Sequence, residues 1–277
     1  RARCLAAAVT PLQGQREALE ALDHAAGIGA AWARGATVEL RLPRRRDVRG
    51  AEPKASETRI GTLPEHEGKA ALAAYGVPVP RSCIVSPDKV ADAVRALGFP
   101  VVIKAAGTFE HKSDIGGVVL DVRTVADAAA AAERLSRISG TLLVEEMVTD
   151  AIAEVLVGIT VDPQFGALLV LGAGGVLAEL LRDTCTLLPP FTCAAIEAGL
   201  GRLGIGRLLG GYRGRPPADL AALVHAALAC ARYAEDNVDR LLELDLNPVI
   251  VRPAGLGVVA VDALIRLAEE PADVRSQ

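Results

Sequence analysis

Lys104 closes an apolar run, VVIK (101–104), and is the first residue whose placement suggests chemistry. A lysine ammonium at the end of a buried strand is a compact point charge suited to a phosphate oxygen. Beyond it lie His111-Lys112-Ser113-Asp114, then Gly116-Gly117 and a second apolar run, VVLDV (118–122). A plain hairpin needs about two to five linking residues, and the stretch 105–117 is far longer, which invites a functional explanation. Further on, LVEEMV (143–148) reads as a strand with adjacent acids, Glu145 and Glu146, on opposite faces. Near the C-terminus, LDLNP and VVAVDAL put Asp245, Asn247 and Asp262 on neighbouring strands. Oxygen ligands from one or two side chains, completed by nucleotide phosphates, are what Mg²⁺ prefers. Taken singly these residues have plain explanations: a surface charge for Lys104, a solvated edge for Glu145 and Glu146, a turn former before Pro248 for Asn247. Together, in this order, they point to an ATP site.

Two glycine-rich alternatives fail or stay weak. Lys112-Ser113 lacks the P-loop glycines, because Ala106 and His111 occupy their positions and a strand follows instead of a helix. LLVLGAGGVLAEL (168–180) supplies Gly172 and Gly174 of a dinucleotide turn, but Leu177 stands where the third Gly or Ala belongs. A glycine-rich turn between strands, or a loop near a phosphate, accounts for it as well. His24 and His225 lie in Ala-rich helical patterns and His66 in a first helical turn, so all three read as structural or solvated.

The elements that must position these residues are well punctuated. LPEHEGKAALAAYG places Pro64 at a helix start and Gly76 at its end. SCIV is a short strand, and SPDKVADAVRALG a helix with Ser86 as N-cap and Gly98 as stop. Thr124 caps an alanine-rich helix to about 138. Strands follow at 142–148, 154–162 and 167–173, with another expected in ELLRDTCTLLP. Helices near 192–199 and 217–235 precede strands at 241–251 and 257–265. Strands in direct succession, with helices between only some of them, suggest an α+β fold with largely antiparallel sheets. Upstream, 12–35 reads as an Ala-rich helix and 36–60 as a linker containing the basic cluster RLPRRRDVRG.

With 277 residues, 51% of them hydrophobic, the chain can bury a sizeable core, and its net charge of −4 speaks against a dedicated nucleic-acid binder. Five scattered cysteines, never in a CxxC pair, imply neither a disulfide frame nor a zinc site and fit a reducing cytosol. No apolar run reaches the ~20 residues of a membrane span, so a cytoplasmic protein with no membrane partner is expected. The first residue is arginine and the sole methionine is Met147, as in a piece of something longer.

The ordered series EGKAALAAYGVPVP, VVIKAAG, HKSDIGGVVL, LVEEMV, VGITVDPQFG, GAGGVLAELLRD, LDLNPVIV and AVDA resembles the ATP-grasp domain of ADP-forming acyl-CoA synthetases, relatives of the succinyl-CoA synthetase β subunit. The resemblance covers about 57–268 and implies an ATP-grasp fold with two lobes, at about 57–141 and 142–270, after a tail at 1–56 from an upstream domain. It implies a ligase that interconverts acid, CoA and ATP with acyl-CoA, ADP and phosphate through phosphohistidine. Lys104 would hold the nucleotide phosphates, and the loop 111–118, with Lys112, Gly116, Gly117 and Val118, would cover them. Glu145, Glu146, Met147 and Val148 would form the hinge at adenine. Glu154 matches another nucleotide-binding position, and Asn247 and Asp262 would ligate Mg²⁺, with Asp245 assisting or pointing into the core. His111 would relay the phosphoryl group on a mobile loop. That is sound chemistry, since neutral imidazole is a good nucleophile near pH 7, Lys112 can neutralise the transferred group and the glycines can hinge. A loop histidine that only hydrogen-bonds a phosphate is the alternative.

Three departures from the family pattern stand out: TDAIAE without the usual glycine before Glu154, Leu187 where many members have arginine, and Leu264 for a frequent Lys or Arg. They motivate the alternative function, a nucleotide-sensing module that does not turn over, as in an acetyltransferase fusion. A ligase forming an acyl phosphate directly is disfavoured by HKSDIGGV. The expected partners are the family's CoA-binding and phosphohistidine-bearing ligase domains, which have no counterpart in these residues.

Overall fold

The computed structural model describes residues 14–33, 60–108, 115–162, 165–175 and 183–268. The chain divides into two units, Arg1–Glu39 and Leu40–Gln277. Among its described residues the first unit holds one helix, α1 (Gln15–Ala33), within the Ala-rich stretch read as helical.

The second unit runs β1 (Ile60–Thr62), α2 (Glu65–Ala73), β2 (Ser82–Val85), a 3-10 turn (Pro87–Lys89), α3 (Val90–Leu97), β3 (Val101–Ala105), β4 (Val118–Val122), α4 (Val125–Leu135) and β5 (Leu142–Glu146). It continues with β6 (Ala153–Asp162), β7 (Gly166–Ala173), β8 (Thr184–Leu187), α5 (Cys193–Arg202), α6 (Gly206–Leu209), α7 (Leu220–Asp236), β9 (Leu241–Val251), β10 (Val258–Ala260) and β11 (Leu264–Ala268).

Among the described residues two sheets form, with every strand pair antiparallel. The smaller has the order β2-β5-β3-β4. Alternation puts Val101, Ile103, Leu142 and Val144 on one face, where Val90 and Val94 of α3 and Ala128, Ala132 and Leu135 of α4 cover them. Thr124 starts α4 as expected, its hydroxyl accepting from the Asp127 N–H at 3.1 Å. The larger sheet has the order β1-β11-β9-β6-β7-β8, with β10 also paired to β9. Val155, Val157 and Ile159 of β6 and Leu244 and Leu246 of β9 share a core with Leu223, Ala227 and Cys230 of α7. Among the described residues no helix is long and apolar enough to cross a membrane.

The sheets divide the chain differently from the boundary expected at 142. β5 sits inside the smaller sheet between β2 and β3. β1 and α2 go with the larger one, since β1 pairs with β11 and Gly68 of α2 lies over Ile265. Local alternation shows that a strand exists, whereas its sheet is decided by partners far away in sequence.

Two further expectations are refined. The long-looped runs are a hairpin after all, with β3 and β4 paired across 106–117. The strand expected at 257–265 is two, interrupted at Val261-Asp262-Ala263, where Val261 N–H donates to the Pro248 carbonyl at 3.2 Å. The dinucleotide-turn reading fails, because β7 lies between antiparallel neighbours β6 and β8. Its glycines serve close packing instead: a Cβ on Gly174 would lie 2.7 Å from the Val155 carbonyl carbon.

Candidate functional site

Lys104 is the fourth residue of an entirely buried strand. The pleat turns it and Glu145 of β5 to the face opposite the one covered by α3 and α4. Against that face stands α2, whose buried stripe is Glu65, Gly68, Lys69 and Leu72, the spacing of one helix side. The outcome is a four-residue ionic cluster. Lys104 Nζ lies 2.6 Å from Glu65 Oε1 and 3.0 Å from Glu145 Oε2, and donates to the Val261 carbonyl at 2.6 Å. Lys69 Nζ donates to Glu65 Oε1 at 2.7 Å, to Glu145 Oε1, and to the Val261 carbonyl at 3.4 Å. Burial on its own would strip the Lys104 proton, but the carboxylates of Glu65, Glu145 and Asp262 outweigh it and hold the ammonium pKa above its ordinary value. Neither the surface-charge explanation of Lys104 nor the solvated-edge explanation of Glu145 survives. Glu146 does point outward, to an exposed ion pair with Arg81 at 2.9 Å.

Sequence reasoning missed Glu65 and Lys69. Their signal was present in EHEGK, an i,i+4 pair sharing the stripe that carries Leu72 into the core. A pair of that spacing ordinarily faces water, and nothing local shows which side of α2 is covered.

The carboxylate and amide residues gather at the β9–β10–β11 end of the larger sheet. Asn247 Oδ1 accepts from the Gly175 N–H at 2.8 Å, and Asp262 Oδ1 from the Ala263 N–H at 2.8 Å. Asp245 Oδ1 is buried with no hydrogen-bond partner. Burial first, then the charges of Glu243 and Asp262, push this carboxyl up to about 6. Beside it an open groove of about 190 Å³ runs along the sheet over Leu156, Gly158, Thr160 and Glu243. Exposed Glu154 is the second residue of β6, and its carboxylate lies against Gly175, where an added Cβ would come within 1.8 Å of Oε2. Gly175 has φ +61°, and it is this left-handed backbone that favours glycine there, since the exposed Glu154 carboxylate can swing aside.

The remaining expected residues are placed as follows. His111 and Lys112 lie outside the described residues. Gly116 has φ +68°, and the Gly116 and Val118 carbonyls accept from the Arg134 guanidinium at 3.1 and 3.0 Å, so α4 fixes the end of the loop. Gly117 O accepts from Ala105 N–H at 2.8 Å, and Met147 N–H donates to Pro100 O at 3.1 Å. Met147 and Val148 are half-buried just past β5. Leu187 is buried in the larger core, and half-buried Leu264 stands opposite Asp245 in the register.

A family model described as "ATP-grasp domain" matches residues 54–267. The chain belongs to the ATP-grasp family. This ATP-grasp chain is 40% identical over 217 residues to a trans-feruloyl-CoA synthase from an unknown prokaryotic organism, covering 74% of itself and 30% of that protein. It is 36% identical over 214 residues to an ADP-forming acetate–CoA ligase of Archaeoglobus fulgidus, covering 74% of itself and 31% of the ligase. Against the β subunit of ADP-forming acetate–CoA ligase II of Pyrococcus furiosus the identity is 32%, over 73% of this chain and 90% of the subunit. The ATP-grasp chain thus spans under a third of the first two relatives and most of the third. Among solved structures, a dinucleotide-forming acetyl-coenzyme A synthetase of Ca. Korarchaeum cryptofilum, holding coenzyme A and Ca-AMPCP, superposes with TM-score 0.69 at 33% identity, over 74% of this chain and 93% of that one. Another form of that synthetase carries coenzyme A and Mg-AMPPCP with its phosphohistidine segment pointing towards the nucleotide-binding site (TM-score 0.66, 34% identity, over 74% of this chain and 92% of that one).

Proposed function

We propose that this chain is the nucleotide-binding, phosphoryl-transferring portion of an ADP-forming acyl-CoA synthetase, acting with CoA-binding and phosphohistidine-bearing domains or subunits. The observation that carries this reading is the buried Lys104–Glu145 pair. It sets an ammonium whose charge its carboxylate neighbours favour beside the Val261–Asp262 segment and one strand away from the adenine-hinge candidates 145–148. Lys104 binds nucleotide phosphate, and the stretch Glu145, Glu146, Met147 and Val148 meets the base. Gly116, Gly117 and Val118 carry the covering loop, with Lys112 beside the phosphates and Glu154 at the rim.

Asn247 and Asp262 suit Mg²⁺: the donors are oxygens only, and the orphaned Asp245 Oδ1 nearby supplies a further acceptor. When bound, Mg²⁺ neutralises phosphate charge. His111 takes the phosphoryl group between phosphohistidine and nucleotide. In the overall reaction a carboxylic acid, CoA and ATP give acyl-CoA, ADP and phosphate, or the reverse. The setting is cytoplasmic.

The test is incubation of the chain with Mg-ATP labelled at the γ-phosphate, comparing wild type with His111→Ala. Acid-labile, base-stable label on the wild type, lost in the variant, is expected. Tight Mg-ATP binding with no label, even when the companion domains are supplied, would instead identify a sensor.

A further inference from the structure

Four buried ionisable groups meet where α2, β3, β5 and the Val261 turn come together, and Glu65 and Lys69 have no part in the nucleotide reading. Their exposures are 4% for Glu65, 3% for Lys69, 7% for Lys104 and 1% for Glu145, so water satisfies none of them. An ammonium has three N–H donors. Around Lys104 stand three oxygens, Glu65 Oε1, Glu145 Oε2 and Val261 O, at 2.6, 3.0 and 2.6 Å. A phosphate oxygen can therefore join Lys104 only by displacing one of them. Lys69 touches the same three residues and shares Glu65 Oε1 at 2.7 Å. The two lysines are alternative counter-ions of a single carboxylate pair.

We propose that Glu65 and Lys69 are positioning residues for Lys104: Lys69 is the stand-in counter-ion that lets Lys104 exchange a carboxylate for nucleotide phosphate, and Glu65 is the carboxylate it gives up. The proposal rests on Lys104 being a phosphate-binding group. Its logic is charge conservation in a place that excludes water. With both lysines in place the cluster is neutral, and after Lys104 turns away Lys69 still faces two carboxylates, leaving one uncompensated charge. Without Lys69 the same turn leaves two buried carboxylates with no cation, which a dry interior penalises heavily. Without the Glu65 charge, Lys104 leaves behind a neutral Lys69–Glu145 pair.

The two substitutions therefore act in opposite directions. In calorimetric titration of the full chain with Mg-ATP, Lys69→Met weakens binding by about fivefold or more and Glu65→Gln tightens it by a comparable factor. The double variant, neutral before the exchange and singly charged after it as in wild type, returns close to the wild-type affinity. A merely structural cluster has no reason to give opposite signs, so both single variants weakening binding, or neither changing it, overturns the proposal. Because a buried unpaired charge can prevent folding, a second measurement uses the wild type alone. Side-chain ¹⁵N NMR of the lysine ammonium groups with and without Mg-ATP should show the Lys104 signal moving while Lys69 stays protected from solvent exchange. An unmoved Lys104 in a chain that binds Mg-ATP sinks the exchange and leaves the nucleotide reading intact. A wild type that binds no Mg-ATP sinks both.

Discussion

Asp245 carries a cost at the scale of one residue that its neighbour could remove. Its Oδ1 is buried without a partner, and the cross-strand position facing it on β11 is Leu264. Directly opposed residues of an antiparallel pair lie on one face with their Cβ atoms close, so a long cation there would reach the carboxylate. Leu264→Lys is expected to stabilise the chain by about 0.2–1 kcal/mol at pH 7. Burial holds the Asp245 carboxyl up to about 6, above the ordinary carboxylate value, so its charged form is the unfavourable one; the cost builds from the ordinary value upward and is complete above about pH 6. Below about pH 4 the carboxyl is protonated in both folded and unfolded chains, and the gain should vanish. Thermal melts at the two pH values check this, and a gain of equal size at both would count against the pairing. A second departure has a different meaning. Leu187 is buried in the larger core, so it fills a packing position there.

At the scale of elements, Asp219 ties a helix to a hairpin. Its Oδ1 caps α7 by accepting from the Ala222 N–H at 3.1 Å, while Oδ2 accepts from the Gly255 and Gly257 N–H groups, both at 2.9 Å. Those backbone bonds, Ala222 first and Gly257 next, hold the Asp219 carboxyl below its ordinary value. A depressed carboxylate stabilises the fold above its unfolded pKa and loses that contribution as pH falls through the folded one. Asp219→Ala should cost about 1–2 kcal/mol at neutral pH, with a deficit that shrinks below about pH 4. A deficit independent of pH would show that the carboxylate charge plays no part. Most elements of this kind were legible from the sequence: Thr124 and Gly98 marked real helix ends, and 241–251 is a strand as read. Lys104, Glu145, Asn247 and Asp262 stood out because polar residues interrupt apolar runs there. Sheet membership of β1, α2 and β5 was not legible, and Glu65 and Lys69 were missed for the same reason. What covers a helix face or pairs with a strand is set by segments tens of residues away, and amphipathic periodicity carries no record of them.

At the scale of the whole molecule, a matched segment of 215 residues covers 90% of a β subunit in one relative, and one of 217 residues covers 30% of a longer chain in another. Matching segments thus occur both as most of a β subunit and as part of a longer chain, an arrangement that suits the proposed nucleotide site lying within one chain. The proposed site residues Lys104, Glu145, Asn247 and Asp262 all come from the one unit, Leu40–Gln277, in keeping with that arrangement. Thioester formation is different, because in the proposed reaction CoA and the acid must meet an activated phosphoryl group to which this chain contributes only the nucleotide half. The purified chain is therefore expected to bind Mg-ATP in a calorimeter yet to give no acyl-CoA detectable by chromatography with any small carboxylic acid. Adding the CoA-binding and phosphohistidine-bearing domains of such a synthetase should start turnover, and His111→Ala in this chain should stop it while leaving Mg-ATP binding within about twofold, since the relay acts after binding. Acyl-CoA produced by the chain alone would overturn the proposed division of labour.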